Sequence, residues 1–178
     1  MKDISLLFDF PQHQLENFNL KKAFSTKYGE TWVSHSTKEY IDQINTISRG
    51  LLKLGIKPTD KIALISTTNR TEWNIMDMAI LQVAAVNIPI YPTISKEDYE
   101  YVLNHSEATY CFVSDISILE KLNKIKGNTQ LKEVYTFDTI EGEKSWEEVL
   151  LLGKDESTQT QVETIKKTVK PDNLATII

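Results

Sequence analysis

Four short β-prone runs recur along the middle of the chain at near-equal spacing: "KIALIS" from Lys61, "VNIPIY" from Val86, "TYCFV" from Thr109 and "KEVYTF" from Lys132. Stretches of helical character, Glu72 to Ala85, Lys96 to Ser106 and Asp115 to Ile125, separate them. Parallel neighbours need a crossover long enough to carry a helix, so this cadence predicts βαβ units. The expected fold class is α/β: a doubly wound, mainly parallel sheet with helices on both faces and right-handed crossovers. Pro89 conflicts with a central strand, because proline brings no ladder donor. It points to an edge position, a bulge or a strand end.

The flanking segments are less regular. "GETWVSHS", Gly29 to Ser36, reads as a short strand. Ser36 and Glu39 then stand at capping-box spacing ahead of a helix whose apolar residues Tyr40, Ile44, Ile47, Leu51 and Leu54 share one face. Gly55 and Pro58 stop it. The Glu72–Ala85 helix is apolar on nearly every side and is expected to be buried. The Lys96–Ser106 helix turns only Tyr99, Val102 and Leu103 inward. After Phe137 the pattern falters: 138–170 reads as a charged surface connector with one short helix near Trp146. "LATII" then restarts a strand within 171–178.

Composition is that of an ordinary globular chain of 178 residues, 40% hydrophobic and 25% charged. The net charge of −5 argues against a nucleic-acid partner, which needs a basic face. Cys111 is the only cysteine, so neither a disulfide nor a cysteine-based zinc site forms within the chain. Neither a leader pattern nor a run of roughly 20 apolar residues is present. The default expectation is a cytoplasmic protein without a transmembrane segment; peripheral membrane contact stays open.

Chemistry-bearing motifs are few. The six glycines, at 29, 50, 55, 127, 142 and 153, allow no G-x-G-x-x-G. Gly50 and Gly55 have phosphate-loop spacing, but Ile56 stands where the lysine belongs and the segment lies within a helix. His13, His35 and His105 lack metal-ligand spacing, and no metal site is expected. Cys111 alternates with apolar neighbours, as a buried, unreactive thiol does. Two loops at the expected carboxyl edge of the sheet remain, "STTNRTEW" (Ser66 to Trp73) and "YPTIS" (Tyr91 to Ser95). Open α/β sheets gather ligands at that edge. Arg70 is a fixed cation able to hold a phosphate or carboxylate. The competing structural reading has Thr71 capping a helix, Arg70 paired with a nearby acid and Pro92 closing a turn.

At these loops the sequence resembles a known family. Asp60 to Asp115, with "NR-T-EW" at Asn69, Arg70, Glu72 and Trp73 and "PIYPT" from Pro89 to Thr93, resembles the N-terminal region of AMP-forming acyl-CoA synthetases, in particular the long-chain fatty acid–CoA ligase branch. The resemblance spans roughly Thr31 to Phe137. It implies the incomplete N-terminal part of a larger adenylate-forming domain, with 36–137 as core α/β units, 138–170 as connector and 171–178 as the start of a further strand. It implies a two-step reaction in the complete enzyme: adenylation of a fatty carboxylate by ATP with Mg²⁺, then thioester formation with coenzyme A. The family's glycine-rich phosphate loop would follow "DNLATII", so no catalytic residue transfers to this chain. The isolated chain is expected to be inactive and to hold none of these ligands tightly. By the resemblance, the turn Tyr91, Pro92 and Thr93 borders the coenzyme A channel, whereas Asn69, Arg70, Glu72 and Trp73 serve packing and capping. Two alternatives stay open, an adenylating enzyme that loads a carrier protein and a non-catalytic α/β binding module.

Overall fold

The computed structural model describes residues 4–178, so the first three residues of the N-terminal stretch searched for a leader lie outside it. A short helix α1 (Phe10–Asn17) leads into an antiparallel hairpin, β1 (Phe24–Tyr28) and β2 (Thr31–His35). The expected strand at Gly29–Ser36 is thus the second arm of a ribbon whose first arm the sequence reading missed. Gly29, at φ +56°, makes the tight turn between the arms, a conformation glycine adopts without Cβ strain. Helix α2 (Thr37–Lys53) follows, with both halves of the predicted capping box formed between Ser36 and Glu39. It ends before Gly55, whose φ of +85° supplies the left-handed stop.

The βαβ cadence folds as predicted. Strands β3 (Lys61–Ile65), β4 (Val86–Ile90), β5 (Tyr110–Val113) and β6 (Glu133–Thr136) form one parallel sheet in the order β4-β3-β5-β6. The crossovers carry α3 (Thr71–Gln82), α4 (Lys96–Ser106) and α5 (Ile116–Asn123). Side chains alternate between two cores, as strand pleating requires. Ile62, Leu64, Phe112 and Tyr135 face α2 and α3, whereas Ala63, Ile65, Cys111 and Val113 face α4 and α5. Helices therefore cover both faces, and the sheet is doubly wound.

Segment 138–170 is more structured than the expected surface connector. It carries α6 (Trp146–Gly153), a 3₁₀ turn at Glu156–Thr158 and a further helix α7 (Gln159–Lys166). Trp146 and Val149 of α6 join the α2–α3 core. Arg49 of α2 donates to the Gly153 carbonyl at 2.7 Å and to Gln159 Oε1 at 2.6 Å, which fastens α6 and α7 to α2. Gly50 and Gly153 permit this approach: a Cβ on Gly50 would overlap the Val149 backbone, and one on Gly153 the Thr46 carbonyl. Gly50 is a packing residue, which accounts for half of the false phosphate-loop spacing.

The final residues lie along the outer edge of β4. The Asn87 amide donates to the Ala175 carbonyl at 3.0 Å, and the Ile177 amide to the Asn87 carbonyl at 3.1 Å, in a single parallel bridge at Thr176. β4 thus borders the four-stranded sheet. Amides at successive positions of a strand point to opposite sides, so Pro89 shares the outward side with Asn87, and no donor to β3 is lost.

Candidate functional site

Strand order reverses between β3 and β5: the chain passes from β3 to β4 on one side and returns to β5 on the other. The carboxyl ends of these two strands form the crevice where open α/β sheets hold ligands. The loop after β3 and the start of α5 meet there. Thr67 donates its amide to Ser114 Oγ at 3.0 Å and its hydroxyl to Asp115 Oδ2 at 2.7 Å. Asp115 also accepts from Ser114 Oγ at 2.6 Å and caps α5 through the Ser117 amide at 2.9 Å. Burial opposes its charge, yet these donors prevail and hold its pKa down at about 2. Asp115 is therefore a fixed anion occupied by its own neighbours.

Arg70 is the centre of the edge. Only 7% exposed, it donates to Glu72 at 2.8 Å, to Asp138 at 2.9 Å and to the Ser114 carbonyl at 3.1 Å. Its guanidinium lies 5.3 Å from the Phe137 ring centroid and 5.8 Å from that of Tyr28. Burial disfavours its charge, but hydrogen bonding and attraction to Glu72 and then Asp138 raise its pKa above the ordinary value. Burial likewise opposes ionisation of Glu72; Arg70, and next the Tyr28 hydroxyl that donates to Glu72, overcome this and lower its pKa. Tyr28 is pushed up to about 12, first by burial and then by Glu72. The two readings left open for Arg70 are thereby separated: two carboxylates already neutralise the guanidinium, and it is not a free anion receptor.

Thr71 does not cap α3. Arg70 is the N-cap residue and makes no side-chain cap bond. Thr26 of β1 supplies the acceptor instead, taking the Thr71 amide at 2.8 Å, and pairs with the Thr71 hydroxyl at 2.8 Å. Of the motif residues, Asn69 is exposed, Glu72 is buried, and Trp73 packs half-buried against the α2–α3 core. Thr26, Tyr28 and Asp138 are the participants that sequence reasoning missed. One signal was available: two β-prone runs flanking Gly29-Glu30 form a hairpin pattern, which would have brought β1 alongside α3.

The second loop lies on the neighbouring strand. Tyr91 is 75% exposed, its carbonyl accepts from the Tyr99 hydroxyl at 3.2 Å, and Pro92 and Thr93 form the turn into α4. Ser95 caps α4 in a complete capping box with Asp98. Tyr91 borders an apolar groove of about 650 Å³ with Ile88, Ile94, Val102 and Ile177. No side-chain hydrogen bond among the described residues joins this turn to the Arg70 cluster. Cys111 is completely buried, which raises its thiol pKa. His13, His35 and His105 lie apart, bonded to or stacked on Asn17, Gln43 and Tyr101 respectively.

Among the described residues, no three His, Cys, Asp or Glu side chains converge as a metal site. At this edge the buried Arg70 guanidinium is already paired with Glu72 and Asp138. Among the described residues, no helix is long and apolar enough to cross a membrane.

Comparison with known proteins agrees with this architecture. Residues 11–178 match the family described as AMP-binding enzyme. The long-chain-fatty-acid–CoA ligase FadD15 of Mycobacterium bovis is 38% identical over 104 residues, 58% of this chain and 17% of that protein. Long-chain-fatty-acid–CoA ligase ACSBG2 of Xenopus laevis is 27% identical over 187 aligned positions, 99% of this chain and 25% of that protein. The chain thus spans about a quarter or less of the length of these relatives. Among solved structures, a long-chain-fatty-acid-CoA ligase (FadD1) from Archaeoglobus fulgidus superposes with a TM-score of 0.71 at 23% identity, over 86% of this chain and 31% of that one. Coronafacic acid ligase from Pectobacterium brasiliense gives 0.72 at 20% identity, over 95% and 32%. The structural likenesses establish the shared fold, and the family match covers nearly every residue described above. On that footing the chain belongs to the AMP-binding enzyme family.

Proposed function

We propose that the chain is the N-terminal portion of an ATP-dependent long-chain fatty acid–CoA ligase, and that it supplies scaffold rather than chemistry. The carrying observation is the family match across residues 11–178, with relatives named as long-chain fatty acid–CoA ligases. In the complete protein a fatty carboxylate attacks the α-phosphorus of ATP and releases pyrophosphate. The thiol of coenzyme A then displaces AMP from the acyl adenylate. Such steps depend on cations and backbone donors placed around the phosphates. This chain's own cation at the sheet edge, Arg70, is committed to Glu72 and Asp138. Its part is to hold the loops after β3, β5 and β6 in register. The exposed turn Tyr91–Thr93 is assigned to the border of the coenzyme A channel, and 36–137 to the core α/β units of a larger domain.

Full-length protein incubated with palmitate, ATP, Mg²⁺ and coenzyme A should yield AMP and palmitoyl-CoA in equal amounts. AMP release with transfer to a carrier protein but not to coenzyme A would replace this reading. The isolated 178-residue chain should catalyse no palmitate-dependent ATP–pyrophosphate exchange, and robust exchange would overturn its assignment as scaffold.

A further inference from the structure

Asn87 is a buried polar residue that the ligase reading does not explain. It lies in β4 at 2% exposure, and its side chain turns towards α3, where Nδ2 donates to Asp77 Oδ1 at 2.7 Å. The Oδ1 atom of the same amide is buried and has no hydrogen-bond partner among the described residues. A buried acceptor left unmatched loses stability, and an apolar residue of similar shape would avoid the loss. An asparagine kept at this position therefore points to a donor beside it.

The sheet names that donor. Paired residues of adjacent parallel strands lie about 4.8 Å apart and turn their side chains to the same face. Asn87 is flanked by Ile62 of β3 on one side and by Thr176 on the other. Along the chain, the nearest residues on that face are Ala85 and Pro89. Of these four side chains only that of threonine can donate. Thr176 is exposed, so its hydroxyl is free to turn about the Cα–Cβ bond. The main chain of Asn87 also makes both backbone hydrogen bonds to this segment, to the Ala175 carbonyl and from the Ile177 amide.

We infer that the Thr176 hydroxyl donates to Asn87 Oδ1, and that Thr176, Asn87 and Asp77 together form a polar latch fastening residues 174–178 to β4 in one register. Leu174, Ala175, Ile177 and Ile178 bring no side-chain donor. A slip by one residue would leave Asn87 Oδ1 unmatched and turn every side chain of the segment to the other face. Selecting a register is the best-attested use of a buried polar group that adds little stability. The latch is independent of the ligase assignment and its test measures no acylation, so either can fail alone.

The test is hydrogen exchange of the full-length protein, resolved to the Ile177 amide by fragmentation mass spectrometry. Thr176→Val should speed exchange of that amide about tenfold, the worth of one hydrogen bond to a buried acceptor. Its circular dichroism should match the parent's, because Thr176 is exposed. Thr176→Ser keeps the hydroxyl and should exchange as the parent does. Asp77→Leu/Asn87→Val replaces the polar pair by apolar side chains, and adding Thr176→Val to it should change the rate no further. An Ile177 amide as slow in Thr176→Val as in the parent overturns the latch. So does an equal effect of Thr176→Val in both backgrounds, or a Thr176→Ser variant that exchanges as fast as Thr176→Val.

Discussion

Arg70 illustrates how one side chain can organise an edge. Its guanidinium contacts Glu72, Asp138 and the Ser114 carbonyl, and so joins the residues that follow three parallel strands. Arg70→Met should destabilise the chain by about 3–5 kcal/mol, because Glu72 is left as a buried, unpaired charge. Adding Glu72→Gln should restore part of that loss, and urea denaturation of both variants measures it. Arg70→Lys should fall between, since an ammonium cannot reproduce the planar fork. Two carboxylates give opposite pH signatures. Burial raises the pKa of Asp77, partly offset by the Asn87 amide donating to it at 2.7 Å. A raised folded pKa means its contribution is complete below the ordinary value of 3.8 and declines as pH rises through the folded pKa. Asp77→Asn should therefore gain melting temperature over the parent at pH 7 relative to pH 4. Asp115 is depressed to about 2, so its contribution is complete above 3.8 and is lost as pH falls towards 2. Asp115→Asn should melt below the parent at pH 7, with the gap closing between pH 4 and 2.

Elements differ in how openly the sequence announces them. Helix α2 was legible because its cap, stripe and stop agree, and β3 to β6 because each is a short apolar run between turn signals. Helix α7, "QTQVETIK", buries Val162 alone and depends on Arg49 reaching Gln159 across a long sequence separation. No local pattern encodes such a contact. Strand β1 was missed for a related reason: Ser25, Thr26 and Lys27 weaken its alternation, and only pairing with β2 and α3 makes it a strand. At the edge, the candidate loops were readable from strand ends. That Arg70 selects Asp138, 68 residues away, was not. The close contact of α2 with α6 gives this scale its own test. Gly50→Ala should destabilise by about 1–3 kcal/mol through overlap with the Val149 backbone, although alanine favours helix by about 1 kcal/mol. Gly127→Ala, with open space around it, should change stability by less than about 0.5 kcal/mol. Thermal melts of the two variants side by side decide whether the α2–α6 approach is as tight as it looks.

At the scale of the whole molecule, protection should follow the sheet order. β3 has a strand on each side and Ile62 to Ile65 are completely or almost completely buried, so its amides can exchange only when the sheet opens. Among the described residues, β4 has β3 on one side and, on the other, two backbone hydrogen bonds between Asn87 and residues 175 and 177. Pro89, the next outward-pointing position, has no N–H to offer, so pairing cannot be extended there from β4's donors. Along this segment Leu174 is 59% exposed. Hydrogen exchange under native conditions should therefore find Ala63 to Ile65 and Cys111 to Val113 slowest, at the rate of global unfolding. In the isolated 178-residue chain the Asn87 and Ile177 amides should exchange orders of magnitude faster, by local detachment of residues 174–178. An Ile177 amide as slow as that of Leu64 would mean that the outer edge of β4 is a full member of the sheet, held by more than one bridge.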